Sequence, residues 1–191
     1  HFALFDSPLG SGGIAWNGRG VVGLQLPEAS PSATLRRLAQ RYPGGEEGAP
    51  TAEAERAIAV AQAILRGQAV DVSSVVFDFD GLPRPLSPFE RRVYELALAI
   101  PRGATWTYGE IAARLGDLGD FQNAGGAARA VGQALGRNPF APIVPCHRVV
   151  AAGGKSGGFS AFGGVATKHR LLALEGARTA DLFDAAPEVH R

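Results

Sequence analysis

Residues 107–116 read Thr-Tyr-Gly-Glu-Ile-Ala-Ala-Arg-Leu-Gly, and residues 127–136 read Ala-Ala-Arg-Ala-Val-Gly-Gln-Ala-Leu-Gly. Thr107 with Glu110 three residues on is a capping box, in which hydroxyl and carboxylate each satisfy a backbone N–H at a helix start. The pattern predicts a short helix over 110–115 that Gly116 stops. After a loop through Asp120 and Asn123, a second is predicted over 127–135, closed by Gly136. Two short helices joined by a turn, the second built of Ala, Gly and Val around Arg129, suit a helix-turn-helix whose second member can approach a nucleic-acid groove closely. They equally suit an ordinary helical pair with small residues for tight packing, and the pattern alone does not choose.

Upstream, Ser87-Pro88-Phe89-Glu90 is a second capping box with Pro at the first helical position. Phe89, Val93, Leu96, Ala97 and Ile100 then form one stripe until Pro101. Leu82-Pro83-Arg84-Pro85 reads as a linker. Before it, the short apolar runs between Phe2 and Leu26 alternate with turn residues such as Asp6-Ser7-Pro8 and Asn17-Gly18, predicting two or three antiparallel strands. Helices are expected over Ser32 to Tyr42 and from Thr51 to Gly67, the second burying Ala54, Ala57, Ile58, Ala61, Ile64 and Leu65. Val75 to Asp80 alternates with period two, predicting a strand with Val75, Phe77 and Phe79 facing a core. The expected fold is therefore α/β. A small N-terminal antiparallel sheet plus helices (1–82) carries no chemistry of its own, a mainly helical domain with a helix-turn-helix follows (87–176), and 177–191 form a tail.

Composition narrows the class. The chain has 191 residues, 46% hydrophobic and 19% charged, which is too apolar for a disordered protein. No apolar stretch approaches the roughly 18 residues of a membrane span, and the N-terminus lacks the basic-then-apolar order of a signal peptide. The expectation is a soluble monomer, cytoplasmic or, in a eukaryote, nuclear; the absence of Met and the start at His1 fit a processed beginning. Charge is uneven under a net of +1. Residues 1–86 carry seven basic and nine acidic side chains, residues 87–176 ten and six, and the rest two and three. The middle block favours an anionic partner, and with 17 Arg to 2 Lys its phosphate contacts would be forked guanidinium ones.

Ile143-Val144-Pro145-Cys146-His147-Arg148-Val149-Val150 holds the sole cysteine. One cysteine excludes an internal disulfide and a multi-cysteine zinc site. A lone Cys is commonly buried and inert, but here His147 offers a proton acceptor and Arg148 a fixed positive charge, both favouring the nucleophilic thiolate. In an extended segment successive side chains would point to opposite faces, so adjacency alone does not put His147 on the sulfur.

These residues carry a family resemblance. Pro145-Cys146-His147-Arg148-Val149-Val150, with Asn138-Pro139 eight residues before the Cys and Ala127-Ala128-Arg129-Ala130-Val131-Gly132 before that, resembles the O6-alkylguanine-DNA alkyltransferases. Gly158-Phe159-Ser160, Gly163-Gly164, Lys168 and Leu171-Leu172-Ala173-Leu174-Glu175-Gly176 continue the likeness over about residues 87 to 176. The resemblance implies a protein that binds duplex DNA, rotates an O6-alkylguanine (chiefly O6-methylguanine, with O4-methylthymine a further substrate) out of the stack, and moves the alkyl group onto a cysteine. Cys146 would be the acceptor, His147 would take its proton through a water, and Glu175 would polarise His147. Asn138 would fix the turn before the Cys segment. Arg129 would fill the gap in the stack, beside the small Ala127 and Ala128, with Arg137 a further DNA contact. Tyr108 would bond guanine N3, and Val149, Phe159, Ser160 and Lys168 would surround the base. No metal or cofactor is expected.

One stretch departs from the family. Many members read Gly-Tyr-Ser-Gly-Gly where this chain has Phe159 and two extra residues, Ala161 and Phe162, which puts the pocket width and the acceptance of bulky groups in question. His169 and His190 read as surface residues. Two other classes remain: a non-catalytic alkyltransferase-like damage-recognition protein, against which Cys146 argues, and a cysteine hydrolase, which would leave the helix-turn-helix unexplained.

Overall fold

The computed structural model describes residues 1–118 and 123–177, without the Asp117 side chain. The predicted loop position Asp120, His190 and all of the tail beyond Ala177 lie outside these residues. Three antiparallel strands open the chain: β1 (Phe2–Ser7), β2 (Gly10–Asn17) and β3 (Gly20–Gln25), in that order in the sheet. The Asn17 side chain closes the second turn by accepting from the N–H groups of Arg19 and Gly20. The period of two sorts the strands by face. Phe2, Ala15 and Val22 pack with Leu38 and Tyr42 of the α1 side (α1, Pro31–Arg41), whereas Ala3, Phe5, Ile14 and Trp16 face the main core.

Helix α2 (Ala52–Leu65) lies on the main-core face, capped by Thr51, with Ala54, Ala57, Val60, Ala61, Ile64 and Leu65 buried. Ile58, expected on that face, is only partly buried and Val60 takes the central place. The strand predicted over Val75 to Asp80 is absent; only an isolated bridge, Phe77 to Val21, forms there. The free edge of β3 is divided between two segments. Val21 exchanges bonds with Val76 and Asp78, while Leu24 N–H donates to the Pro139 carbonyl at 2.7 Å. Neither segment pairs for long enough to make a strand, but together they cover the edge. Phe77 and Phe79 do turn inward, stacking on the fully buried Phe140 at ring separations of 4.5 and 5.3 Å.

The second half is helical. α3 (Pro88–Leu98) has the complete Ser87–Glu90 capping box, and Arg84 holds Glu90 at 2.6 Å. β4 (Trp106–Thr107) leads directly into α4 (Tyr108–Ala113), whose capping box is also complete. Because Thr107 is the cap, α4 starts two residues before the predicted Glu110. α5 (Ala124–Gly136) begins three residues earlier than expected, because the Asn123 side chain caps it through Gly126 N–H at 2.8 Å. Gly136, expected to close α5, is its last residue in ordinary helical conformation, and Arg137 is the cap. β5 (Val149–Val150) pairs in parallel with β4, and α6 (Gly164–Leu174) closes the described fold. One core cluster runs from Ala3 to Leu171 and includes residues from both sides of the linker. Among the described residues no helix is long and apolar enough to cross a membrane.

α5 is held to α3 by the buried Tyr94 hydroxyl, which donates to the Ala134 carbonyl at 2.9 Å. Tyr94→Phe keeps the ring and removes that bond. We expect a loss of about 1 kcal/mol in urea unfolding; an unchanged midpoint would mean the bond does not hold α5.

Candidate active site

Cys146 opens a single 3-10 turn, Cys146–Arg148, wedged between Pro145 and β5. The segment is thus not extended at the sulfur, and the opposite-face expectation does not apply. Cys146 is 9% exposed, and that remaining surface borders two cavities. Burial pushes the thiol pKa up, opposed by a hydrogen bond from the Asn138 side chain and by the charge of Lys168. Asn138 also donates to the Val144 carbonyl at 2.7 Å and accepts from Phe140 N–H at 2.9 Å, so one side chain holds both ends of the loop before the cysteine.

The other two residues of the turn belong to a buried charged cluster. His147 Nε2 is 3.0 Å from Glu175 Oε1, with both side chains almost fully enclosed. Arg148 grips the same carboxylate with two bonds of 2.8 Å and donates to the Ile100 carbonyl at 2.6 Å. Burial pushes Glu175 up, but its bonds from His147 and Arg148 outweigh burial and hold it at about 2. Burial likewise lowers His147 and outweighs the opposing pull of Glu175. A neutral imidazole beside an ionised carboxylate must donate from Nε2, which leaves Nδ1 as the basic nitrogen. Nδ1 is buried and has no hydrogen-bond partner among the described residues. The expectation that Arg148 acts on the sulfur is corrected: its guanidinium is committed to Glu175, and the cation that influences the thiol is Lys168.

The front cavity, about 640 Å3, is framed by α5 on one side and the glycine-rich loop on the other. Ala128, Arg129, Gly132 and Gln133 of α5, Tyr108 at the start of α4, and Gly158 to Ser160 line it, with Cys146 at its wall. The parallel β4–β5 pair brings Tyr108 here, because Trp106 is in register with Val149 just beyond the cysteine turn. Gly157 has φ +70°, and an added Cβ would press on the Tyr108 ring at 3.1 Å, so glycine is needed where the loop passes that ring. Ser160 Oγ donates to the Gly136 carbonyl at 2.9 Å, tying loop to helix.

Not every expected residue reaches this cavity. Ala127 lies beside it on α5, and the Val149 side chain is fully buried, leaving only backbone to offer. Lys168, expected to surround the base, is corrected to a fully buried position off both cavity walls, where its Nζ donates to the Val149 and Ser156 carbonyls. Arg137 does not line the front cavity with Arg129; it is 3.5 Å from Glu90 and lines the second cavity. Phe159 packs on the core while Phe162 is half exposed, so the loop offers one ring to the front cavity. His169 is half-buried, its Nε2 enclosed, and is less of a surface residue than expected. Among the described residues no three His, Cys, Asp or Glu side chains gather as metal ligands.

A family model described as the DNA-binding domain of 6-O-methylguanine DNA methyltransferase matches residues 88–177. A methylated-DNA–protein-cysteine methyltransferase of Mycobacterium tuberculosis is 38% identical over 185 residues, covering 95% of this chain and 96% of its own. That of Methanothermobacter thermautotrophicus is 35% identical over 169 residues, 88% and 81% of the two chains. The chain belongs to the methylated-DNA–protein-cysteine methyltransferase family. Solved structures agree. The M. tuberculosis OGT in complex with DNA matches with a TM-score of 0.68 at 35% identity, over 95% of this chain and 97% of that one. The O6-methylguanine-DNA methyltransferase of Pyrococcus kodakaraensis matches with 0.66 at 27% identity, over 93% and 100%. The likeness therefore extends through the N-terminal half, where the sequence showed no motif.

Sequence reasoning missed the double grip of Arg148 on Glu175 and the wall formed by Gly132 and Gln133. The second was accessible, since 128, 129, 132 and 133 fall on one helical face; the first was not, because 148 and 175 meet only in the fold. Glu175→Gln should cost about 3 kcal/mol in urea unfolding at neutral pH, because Arg148 is left buried without a carboxylate. With the folded pKa near 2 against an ordinary 4.5, the ionised Glu175 stabilises fully above about pH 4.5 and is lost as pH falls toward 2. The variant should therefore lose less stability than the wild type across that window; equal acid slopes would refute the assignment.

Proposed function

We propose that this chain is a stoichiometric DNA-repair alkyltransferase that takes the alkyl group of O6-alkylguanine in duplex DNA onto Cys146. The observation that carries the reading is the position of one thiol at the wall of the front cavity, with His147, oriented by Glu175, next to it in the same buried turn. The relatives named above are methylated-DNA–protein-cysteine methyltransferases, and one solved neighbour is bound to DNA. The reaction belongs where cellular DNA is, inside the cell.

The chemistry follows from the groups present. His147 Nδ1, the nitrogen not used by Glu175, accepts the thiol proton through a water, which offsets the burial that otherwise keeps Cys146 protonated. The Cys146 sulfur attacks the alkyl carbon; the S–C bond forms as the C–O6 bond breaks, and the pair goes to the guanine, which takes back a proton. The Tyr108 hydroxyl, with its pKa raised by burial and by Cys146, remains a neutral donor for guanine N3 as charge builds on the base. Phe159 supplies a stacking face, and backbone groups of Cys146, Val149 and Ser160 address the base edge. Lys168 holds β5 and the loop carbonyl of Ser156 together, and so fixes the Val149 backbone. A thioether is a poor leaving group, so each molecule reacts once.

α5 presents Arg129, exposed, between the small residues Ala128 and Gly132. That arrangement lets the helix approach the minor groove and places one long cation where a flipped base leaves a gap. Duplex DNA carrying O6-methylguanine labelled in the methyl group should transfer one equivalent of label per protein, all of it on the Cys146 peptide, and none to Cys146→Ser. Repeated release of label would indicate a hydrolase, and binding without transfer a damage-recognition protein. Arg129→Ala should slow transfer from duplex DNA about tenfold or more, since unstacking costs a few kcal/mol. Reaction with free O6-benzylguanine should hardly change; equal losses on both would remove Arg129 from the stack-filling role.

A further inference from the structure

Cys146 borders two cavities, and the reaction above uses one. The second, about 520 Å3, shares Leu135, Gly136, Phe159 and Ser160 with the first. It extends past Pro139 and Ala141 to the outer side of α1 and to the linker. Its wall near the sulfur is therefore largely apolar. Its far side is not: Arg37, Arg41, Arg84 and Arg137 all line it, and among the described residues no Asp or Glu does.

These charges are incompletely neutralised. Glu90, outside the wall, serves both Arg84 and Arg137. Arg37 meets Glu28 only at 3.9 Å. Arg41 has no carboxylate partner among the described residues, and directs one nitrogen at the carbonyls of Arg137 and Asn138 at 3.2 and 3.5 Å. A cavity walled by cations of one sign concentrates anions, and a guanidinium fork matches a carboxylate in particular.

Geometry connects this chemistry to the sulfur. In a displacement at carbon, the base must lie in line with the attacking sulfur, so the remainder of a long O6 substituent projects to the side. The second cavity is the other space that Cys146 touches. Resting on the alkyl-transfer reading, we propose that this cavity receives the body of a long O6 substituent and favours substituents that end in a carboxylate. The apolar stretch beside Cys146 takes an aryl or alkyl spacer, and the arginines take the anionic end. The bonds made and broken are those of methyl transfer; guanine departs with the electron pair and a proton, and the carboxylate-bearing group stays in the cavity as a thioether on Cys146.

The test is a competition on the full chain without DNA, which removes phosphate as a rival anion. O6-benzylguanine, O6-(4-carboxybenzyl)guanine and O6-(4-aminomethylbenzyl)guanine are offered together, and the Cys146 adducts are counted by intact mass. The carboxybenzyl adduct should exceed the benzyl one about threefold, the modest factor expected when Arg37, Arg84 and Arg137 are more than half exposed. The aminomethylbenzyl adduct should fall below it. High salt, and the double variant Arg37→Gln/Arg41→Gln, should each bring the carboxybenzyl-to-benzyl ratio back to about one. The ratio is internal to each sample, so a variant of lower overall reactivity still reports, and the salt and charge-reversal arms need no variant. A wild-type ratio at or below one, or a preference untouched by salt and by the double variant, overturns this inference and leaves alkyl transfer standing. No adduct from any of the three on folded protein also overturns this inference, because no long substituent then enters; alkyl transfer itself stands or falls on the labelled-methyl duplex.

Discussion

A single carboxylate, Glu175, is shared by two cationic or hydrogen-bonding neighbours inside the protein, and the rest of the site is arranged around it. Removing a charge from water costs several kcal/mol, which is recovered here only because Arg148 grips both oxygens and His147 adds a third bond. The partners come from different places in the chain. Glu175 caps the end of α6, His147 and Arg148 belong to the cysteine turn, and Arg148 reaches on to Ile100 beyond α3. One charged cluster thus joins α3, the turn and α6, and fixes which imidazole nitrogen is basic.

From that anchor the geometry of the sulfur follows. Asn138 holds the loop before Cys146 closed, Lys168 holds the strand after it against the glycine-rich loop, and the β4–β5 pair sets Tyr108 opposite. Asn138 and Lys168 are buried and donate to backbone carbonyls, which limits motion around the thiol. The mobile partners of the reaction are then the base and the DNA. Lys168 illustrates the tension: burial lowers its pKa to about 8, yet it stays close enough to raise the thiolate fraction of Cys146.

The N-terminal half takes part through the edge of β3. Leu24 binds the Pro139 carbonyl, and Phe77 and Phe79 stack on Phe140, in the segment that leads from α5 to the cysteine. The sheet therefore supports the loop that carries Asn138, and α1 contributes Arg37 and Arg41 to the second cavity. A region with no motif of its own shapes the space beside the nucleophile.

Local features were legible in the residue order. Ser87 with Glu90 and Thr107 with Glu110 announced two helix starts, the turns at Ser7-Pro8 and Asn17-Gly18 announced the hairpins, and the motif around Cys146 announced the family, because caps, turns and motifs depend on neighbours a few residues apart. The apparent strand at Val75 to Asp80 misled, since alternation reports a two-faced segment but not whether a partner edge is free. Asn123 was read as loop because its capping role shows only once the helix start is known. Sequence alone determined which groups are available: one thiol, one adjacent imidazole, a small-residue helix with Arg129, and an arginine-rich surface. Tertiary structure alone decided that Arg148 serves Glu175 instead of the sulfur, that Lys168 is buried off the cavity walls, and that Cys146 faces two cavities. Those are matters of burial and of contacts between residues far apart in the chain, where desolvation determines which charges must pair, and neither is written in local order.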